Sequence, residues 1–137
     1  MANKSLYLIL AVGVVLLAAI FVYDAVGSKP GASNFYMATD MNGKNRTTVF
    51  SPANHVYIFF NVSGIEAGTR FQSRWYGLDL EGQDPAVPLR VIDYTCEGGA
   101  SKLFFELSSI GDWPKGNYKV EVYMNDAKVG EQTFSVQ

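Results

Sequence analysis

Two different hydrophobic patterns divide the chain. Residues 6–26 are apolar on every side, with Asp24 as the only charge, which predicts a helix surrounded by lipid. From residue 35 onward, apolar and polar residues alternate in short runs separated by Gly, Pro, Asn and Asp, which is typical of β-strands. We therefore expect a mainly β chain, with one N-terminal transmembrane helix followed by an antiparallel sandwich of seven or eight strands. The predicted strands are 35–38, 46–50, 55–62, 71–78, 87–95, 102–107, 118–124 and 129–136.

The length of the apolar run favours a membrane span. Its 21 residues would form a helix of about 31 Å, which matches a hydrocarbon core of roughly 30 Å. A cleaved signal peptide is the alternative, since Ala25-Val26-Gly27 could serve as a cleavage site. However, the uninterrupted apolar stretch 6–23 is longer than the usual 7–15 residues of a signal peptide. We expect an uncleaved signal anchor at 1–27, a linker at 28–34 and the sandwich at 35–137.

The flanking charges predict the orientation of this anchor. Lys4 precedes the helix, whereas Asp24 and then Lys29 follow its apolar part. This bias favours a cytoplasmic N-terminus and a C-terminal domain that is periplasmic or extracellular. The chain is then a single-pass membrane protein whose first partner is the lipid bilayer.

Small residues recur along one side of the predicted helix. Ala11, Ala18 and Ala25 are spaced by seven residues, and Gly13 lies nearby. Such a stripe lets the backbones of two membrane helices approach closely, which predicts contact with helices of other subunits. Alanine is common in membrane helices, so chance alignment is the alternative interpretation.

The C-terminal third carries the most specific local signature. Trp113-Pro114-Lys115-Gly116-Asn117-Tyr118 leads into an alternating strand, which is typical of a tyrosine corner. The Tyr118 hydroxyl is expected to bond back to the preceding loop, and Trp75 is expected in the core on an earlier strand. Trp113 is assigned a structural role in the same region.

These segments resemble a known domain class. The runs SRWYGL, FFELS and DWPKGNYKVEVYMNDAKVGEQTFSV, within residues 71–136, resemble immunoglobulin- or fibronectin-III-like domains of bacterial surface and periplasmic proteins. The resemblance implies a Greek-key immunoglobulin-like sandwich, an extracytoplasmic location and a mostly non-catalytic role. Cys96 has no partner, so the inter-sheet disulfide of antibody domains is missing, as is usual in fibronectin-type members.

Composition and net charge argue against several kinds of binding site. The formal net charge of −2 argues against nucleic-acid binding, which requires a positive surface. One cysteine excludes an internal disulfide and multi-cysteine metal sites, and one histidine leaves little room for histidine-rich metal chemistry. We expect no cofactor and no metal.

No residue motif predicts catalysis. His55 is expected as a solvent-facing residue at a strand start, and Cys96 as an inert thiol in a turn. Residues 40–45 resemble the start of a calcium loop, but an Asn-Gly hairpin turn is the favoured interpretation. Asn45 and Asn61 lie in glycosylation sequons whose use depends on the organism. We therefore expect no catalytic residue, no small-molecule substrate and no enzyme activity.

One aromatic patch stands out on the predicted sandwich. Alternation places Tyr57, Phe59 and Phe104 on the outer side of one sheet, opposite the core-facing residues of the same strands. Three large rings on a solvated face are typical of a contact surface. The alternative is that a loop, or the segment 34–50, covers them within the chain.

These observations predict a non-catalytic accessory subunit of a larger membrane protein complex. The helix would pack against other membrane-protein subunits while the sandwich docks on the extracytoplasmic side. Respiratory and photosynthetic complexes are natural hosts, although no residue points to one. The alternative is a membrane-anchored surface or periplasmic module that binds glycan or protein ligands.

Overall fold

The computed structural model describes residues 30–137 and, for the backbone alone, residues 14–17. The described part is built from strands joined by turns and loops, without a helix. The strands are β1 (Val14–Leu17), β2 (Gly31–Ala38), β3 (Val49–Phe50), β4 (Val56–Ser63), β5 (Arg70–Gly77), β6 (Arg90–Thr95), β7 (Lys102–Leu107), β8 (Gly116–Met124) and β9 (Ala127–Val136).

The strands form two sheets. One has the order β1-β7-β4-β2 and the other the order β3-β9-β8-β5-β6. All pairs are antiparallel except β3 with β9, which is parallel. From β2 onward the chain changes sheet five times: between β2 and β3, β3 and β4, β4 and β5, β6 and β7, and β7 and β8. The predicted mainly β architecture is confirmed for the described residues.

Most predicted strands are present within a few residues of their expected ends, but two predictions need correction. β2 begins at Gly31, so residues 31–34 of the predicted linker 28–34 belong to a strand. The predicted strand 46–50 is reduced to Val49–Phe50. The physical reason is a change of partner: Arg46 still pairs with Ala38 of β2, whereas Phe50 already pairs with Val136 of β9. The chain crosses between the sheets at this point.

The core lies between the two sheets and is made by alternate residues of facing strands. Four residues of β4 and three of the neighbouring strand β7 form one wall of the core: Val56, Ile58, Phe60, Val62, Leu103, Phe105 and Leu107. β5, β8 and β9 contribute the other wall, with Phe71, Trp75, Tyr118, Val120, Val122, Phe134 and Val136. This alternation is what a sandwich buried on one face of each sheet requires.

The membrane-helix prediction lies largely outside the described residues. Ala11, Gly13, Ala18 and Ala25 are among the residues that are not described, so their predicted helix contacts stay a prediction. Within 6–26 only Val14–Leu17 is described, and there the backbone is extended beside β7 rather than helical. A strand edge supplies the hydrogen-bond partners that this segment would otherwise lack. Among residues 14–17 and 30–137, no helix is long and apolar enough to cross a bilayer.

Candidate functional site

The predicted aromatic patch forms on the outer side of the four-stranded sheet. Phe59 of β4 lies opposite Phe104 of β7, with ring centroids 5.0 Å apart, and the Tyr57 ring lies 5.6 Å from Phe104. The register therefore gathers the three rings as the alternation predicts. However, Tyr57, Phe59 and Phe104 are only 6%, 2% and 3% exposed. They are a second small apolar cluster rather than an open contact surface.

The chain itself covers this cluster. Tyr36 of β2 stacks on Phe59, with centroids 5.2 Å apart and ring planes 10° from parallel. The following turn lies against the same rings: a Cβ added at Gly43 would stand 2.6 Å from the Tyr36 hydroxyl and 3.4 Å from Phe59. The predicted alternative, coverage by segment 34–50, describes what is seen here. A role of the rings in partner contact stays a prediction and would require this turn to move.

The covering turn is closed by one carboxylate. Asp40 accepts hydrogen bonds from the backbone amides of Lys44 at 3.0 Å and Asn45 at 2.8 Å. These bonds lower the pKa of Asp40 because they favour its ionised form. Gly43 has a φ of +69°, which non-glycine residues rarely adopt. Backbone amides of the chain therefore stabilise the turn, in agreement with the interpretation of residues 40–45 as a hairpin turn.

A histidine and a carboxylate lie at the rim of the aromatic cluster. The His55 ring, which is mostly exposed as predicted, lies with Nδ1 2.5 Å from a carboxylate oxygen of Glu106. Burial, followed by the charge of Glu106, raises the pKa of Tyr57 to about 12. The Tyr57 hydroxyl therefore stays protonated at neutral pH.

Next to the cluster lies a groove with a positive lining. Arg46 lies over the Tyr36 ring, with the guanidinium carbon 3.6 Å from the centroid, and the Lys102 ammonium lies 5.3 Å from the centroids of both Tyr36 and Phe59. The groove has a volume of about 490 Å³. We call it the cationic groove; its lining residues are Asn34, Phe35, Tyr36, Arg46, Asn61 and Lys102.

No sequence pattern predicts the cationic groove. Its residues come from β2, from the crossing segment after it, and from β4 and β7, so no local spacing unites them. Part of its lining could be predicted, because alternation places Asn61 and Lys102 on the same outer side as Phe59 and Phe104. The bulge in β2, which shifts the pairing between Ser33 and Tyr36, could not be predicted from alternation.

The outer face of the five-stranded sheet is polar and tightly interlocked. The Arg74 guanidinium carbon lies 3.9 Å from the centroid of Tyr123, and the Lys119 ammonium lies 4.9 Å from that of Tyr76. Glu121, almost fully buried, accepts a hydrogen bond from the Tyr123 hydroxyl at 2.8 Å.

Glu121 is held in its ionised form by its neighbours. Burial alone would raise its pKa, but the Tyr123 hydrogen bond, the Lys119 ammonium 3.0 Å away and the Lys128 ammonium 3.4 Å away outweigh burial. The pKa of Glu121 is therefore lowered to about 2. The ion pair of Glu121 with Lys128 links β8 to β9.

The three predicted structural aromatics are all buried and hydrogen-bonded. Trp75 donates its ring N–H to the Ser73 hydroxyl at 2.8 Å, and Trp113 donates to the Asn54 carbonyl at 2.9 Å. Tyr118 donates to the carbonyl of Pro114, four residues earlier in the chain. This is the contact that the tyrosine-corner interpretation predicts.

Cys96, the one cysteine of the sequence, belongs to the core. The thiol is buried and free, and its sulfur accepts a long contact of 3.4 Å from the Gly98 amide. This burial agrees with an inert thiol. Within the described part of the chain, no three His, Cys, Asp or Glu side chains are grouped closely enough to hold a metal ion.

Comparison with known proteins identifies the fold but no family. No family model and no curated protein matches this chain. Among solved structures, the chain is similar to an immunoglobulin-like protein from Pseudomonas aeruginosa, with 11% identity and a TM-score of 0.55. That match covers 82% of this chain and 100% of the other. The fold is immunoglobulin-like.

A second solved structure shows the same architecture inside a larger protein. It is the alkylpurine DNA glycosylase AlkC from Pseudomonas fluorescens, with 14% identity and a TM-score of 0.55. The match covers 81% of this chain but only 31% of the glycosylase. At these identities the likeness concerns the immunoglobulin-like fold alone, because one fold hosts many functions.

Proposed function

We propose that this chain is a membrane-anchored, non-catalytic accessory subunit of a larger membrane-protein assembly. The observation that carries the proposal is the apolar run 6–26, which ends only five residues before β2 begins at Gly31. Five residues span at most about 18 Å, so the sandwich would be held close to the bilayer surface. Ala11, Gly13, Ala18 and Ala25 form the side of the helix that packs against other subunits.

The proposal requires Val14–Leu17 to leave the edge of β7. A segment cannot pair with a strand outside the membrane and form part of a membrane helix at the same time. An apolar segment without lipid gains hydrogen-bond partners at a strand edge. In a bilayer a helix satisfies the same backbone groups internally, which favours the helix there.

The docking surface proposed on the sandwich is the outer face of β6, β5 and β8. Arginine and tyrosine dominate the energetic centres of protein interfaces, and Arg74, Tyr76 and Tyr123 lie together on this face. Their side chains are already fixed by contacts with one another, which reduces the entropy lost on binding. Val91, which pairs with Arg74 and is 41% exposed, adds an apolar contact beside them.

The docking partner is the extracytoplasmic part of a neighbouring subunit. The face carries both signs of charge, with Glu121 among Lys119 and Lys128, so it suits a mixed polar surface. It also needs no rearrangement, whereas Tyr57, Phe59 and Phe104 are covered by the chain's own turn. For that reason we place the contact on this sheet.

Alkaline carbonate extraction of membranes from cells that carry the protein tests the anchor. We expect the chain to stay in the membrane pellet, and added protease to digest the sandwich in intact spheroplasts. Release into the carbonate supernatant would contradict the anchor. Full protection of the sandwich would contradict the proposed orientation.

Copurification after mild detergent extraction tests the subunit proposal. We expect stoichiometric partners with the unmodified chain and their loss with Val91→Asp, which places a charge on the proposed face. Val49→Asp is the matched control, because Val49 is 50% exposed and lies on β3 at the opposite edge of the same sheet. A monodisperse monomer would instead favour a surface binding module for glycan or protein ligands. Equal loss with both variants would contradict the assignment of the face.

A further inference from the structure

Three cations of the described residues form ion pairs with carboxylates, but the two cations of the cationic groove do not. Arg70 pairs with Asp126, Lys119 with Glu121, and Lys128 with both Glu121 and Glu131. By contrast, Arg46 and Lys102 have no carboxylate partner within residues 30–137. Asp40, in the turn just before Arg46, directs its carboxylate to the backbone amides of Lys44 and Asn45.

Aromatic rings hold these two cations in place. The guanidinium of Arg46 lies on Tyr36, which in turn stacks on Phe59. Stacking on a ring face leaves the N–H groups at the edge of a guanidinium free to donate hydrogen bonds. The Lys102 ammonium reaches the same two rings from β7. The two positive groups are therefore positioned by apolar contacts, and their donors remain available to a ligand.

Two amides complete the polar lining. Asn61 lies opposite Lys102 in the β4–β7 pairing, and Asn34 lies at the bulge of β2. Asn34 has a φ of +55°, in the left-handed region that non-glycine residues rarely occupy. Backbone outliers of this kind occur often at binding sites, because strain can be part of how a site is shaped.

We propose that the cationic groove binds the phosphate group of an esterified ligand, namely an anionic phospholipid headgroup. Arginine binds phosphate oxygens in a bidentate manner, lysine adds a second positive charge, and the amides of Asn34 and Asn61 supply further donors. A volume of about 490 Å³ is in the range of small-molecule pockets, so it leaves space for the organic part of the ligand.

The choice of a lipid as the source of this phosphate rests on the proposed membrane anchor. The groove residue Asn34 follows the end of the apolar run by only eight residues, a maximum extended distance of about 28 Å. Headgroups would therefore be within reach of the groove. Free phosphate shares the chemistry but not this proximity.

Titration of the full-length, ¹⁵N-labelled chain in a neutral detergent tests the groove. The probes are dihexanoyl-phosphatidylglycerol, dihexanoyl-phosphatidylcholine and inorganic phosphate, each followed by NMR chemical shifts. We expect phosphatidylglycerol to shift the side-chain amides of Asn34 and Asn61, with at least tenfold tighter binding than either other probe. Arg46→Gln and Lys102→Gln should each weaken this binding at least fivefold. Lys115→Gln, which removes an exposed charge in the turn before β8, should leave it unchanged.

Each outcome decides the proposal. If neither phosphatidylglycerol nor inorganic phosphate shifts these signals, the anion site is overturned. The same holds if the Arg46→Gln and Lys102→Gln variants bind phosphatidylglycerol as tightly as the unmodified chain does. Equal affinity for both anions would support the phosphate site and overturn the lipid source. Binding in micelles does not require a membrane-spanning helix. A negative titration therefore contradicts the groove proposal alone, whereas a negative carbonate extraction contradicts the anchor.

Discussion

The Tyr118 hydroxyl donates a hydrogen bond of 2.5 Å to the carbonyl oxygen of Pro114. This bond ties the start of β8 to the loop that brings the chain over from β7. Trp113 packs edge-on against the Tyr118 ring, with centroids 5.3 Å apart, and donates its ring N–H to the Asn54 carbonyl. The crossover between the sheets is therefore fixed by two aromatic side chains that also fill the core.

Removing this hydroxyl should cost stability without changing the fold. Tyr118→Phe keeps the ring but leaves the Pro114 carbonyl without its partner, so we expect a loss of about 1–3 kcal/mol in urea unfolding. Tyr94→Phe is the control, because no hydrogen bond is among the interactions that act on the Tyr94 hydroxyl within the described residues. Equal stability of the Tyr118→Phe variant and the parent would contradict the corner role.

Substitution of Trp75 tests whether this side chain lies in the core. It is buried between the sheets and lies edge-on to Phe134 at 6.1 Å. We expect Trp75→Ala to lower the free energy of unfolding by about 3–5 kcal/mol, measured by chemical denaturation. If that variant does not fold, Trp75→Phe should fold with a smaller loss, because it keeps a ring and gives up the bond to Ser73. An unchanged melting temperature for either variant would place Trp75 on the surface.

The covering turn should be sensitive to a single methyl group at Gly43. A Cβ there would approach the Tyr36 hydroxyl to 2.6 Å, and the φ of +69° is unfavourable for alanine. We expect Gly43→Ala to destabilise the chain by about 1–2 kcal/mol and to increase the exposure of Phe59, read as faster amide hydrogen exchange in β4. Gly111→Ala should have no such effect, since nothing lies within 4 Å of its Cβ position.

Strand positions and core faces were predictable because they depend on local alternation. The residues Val56, Ile58 and Phe60 alternate with Tyr57 and Phe59, and a one-residue slip would have exchanged the two sets. In the tight turn between β8 and β9, Asn125 and Asp126 adopt the positive φ that such turns need.

The cover over the aromatic rings was not predictable to the same degree. Whether Phe59 is exposed depends on where the turn after β2 lies in space, and that position depends on Tyr36 and Gly43 fitting the rings. The cationic groove depends in addition on the β2 bulge, which changes which side chains face outward after Asn34. Such long-range packing leaves no periodic signal in the sequence.

Acid should lower the stability of the fold by protonating Glu121. Its pKa is about 2 in the folded protein and 4.5 in the absence of neighbours, so its ionised form stabilises the fold fully above pH 4.5. That contribution is lost as the pH falls from 4.5 towards 2, because the folded state must then give up the bonds from Tyr123 and Lys119. Allowing for solvent screening, we expect Glu121→Gln to be about 1–2 kcal/mol less stable than the parent at pH 7, with the gap closing by pH 2 in urea titrations. Glu81→Gln, an exposed loop change, should show no pH-dependent gap. A Glu121→Gln gap that stays constant from pH 7 to pH 2 would contradict the electrostatic role, because it would show that the side chain acts by packing alone.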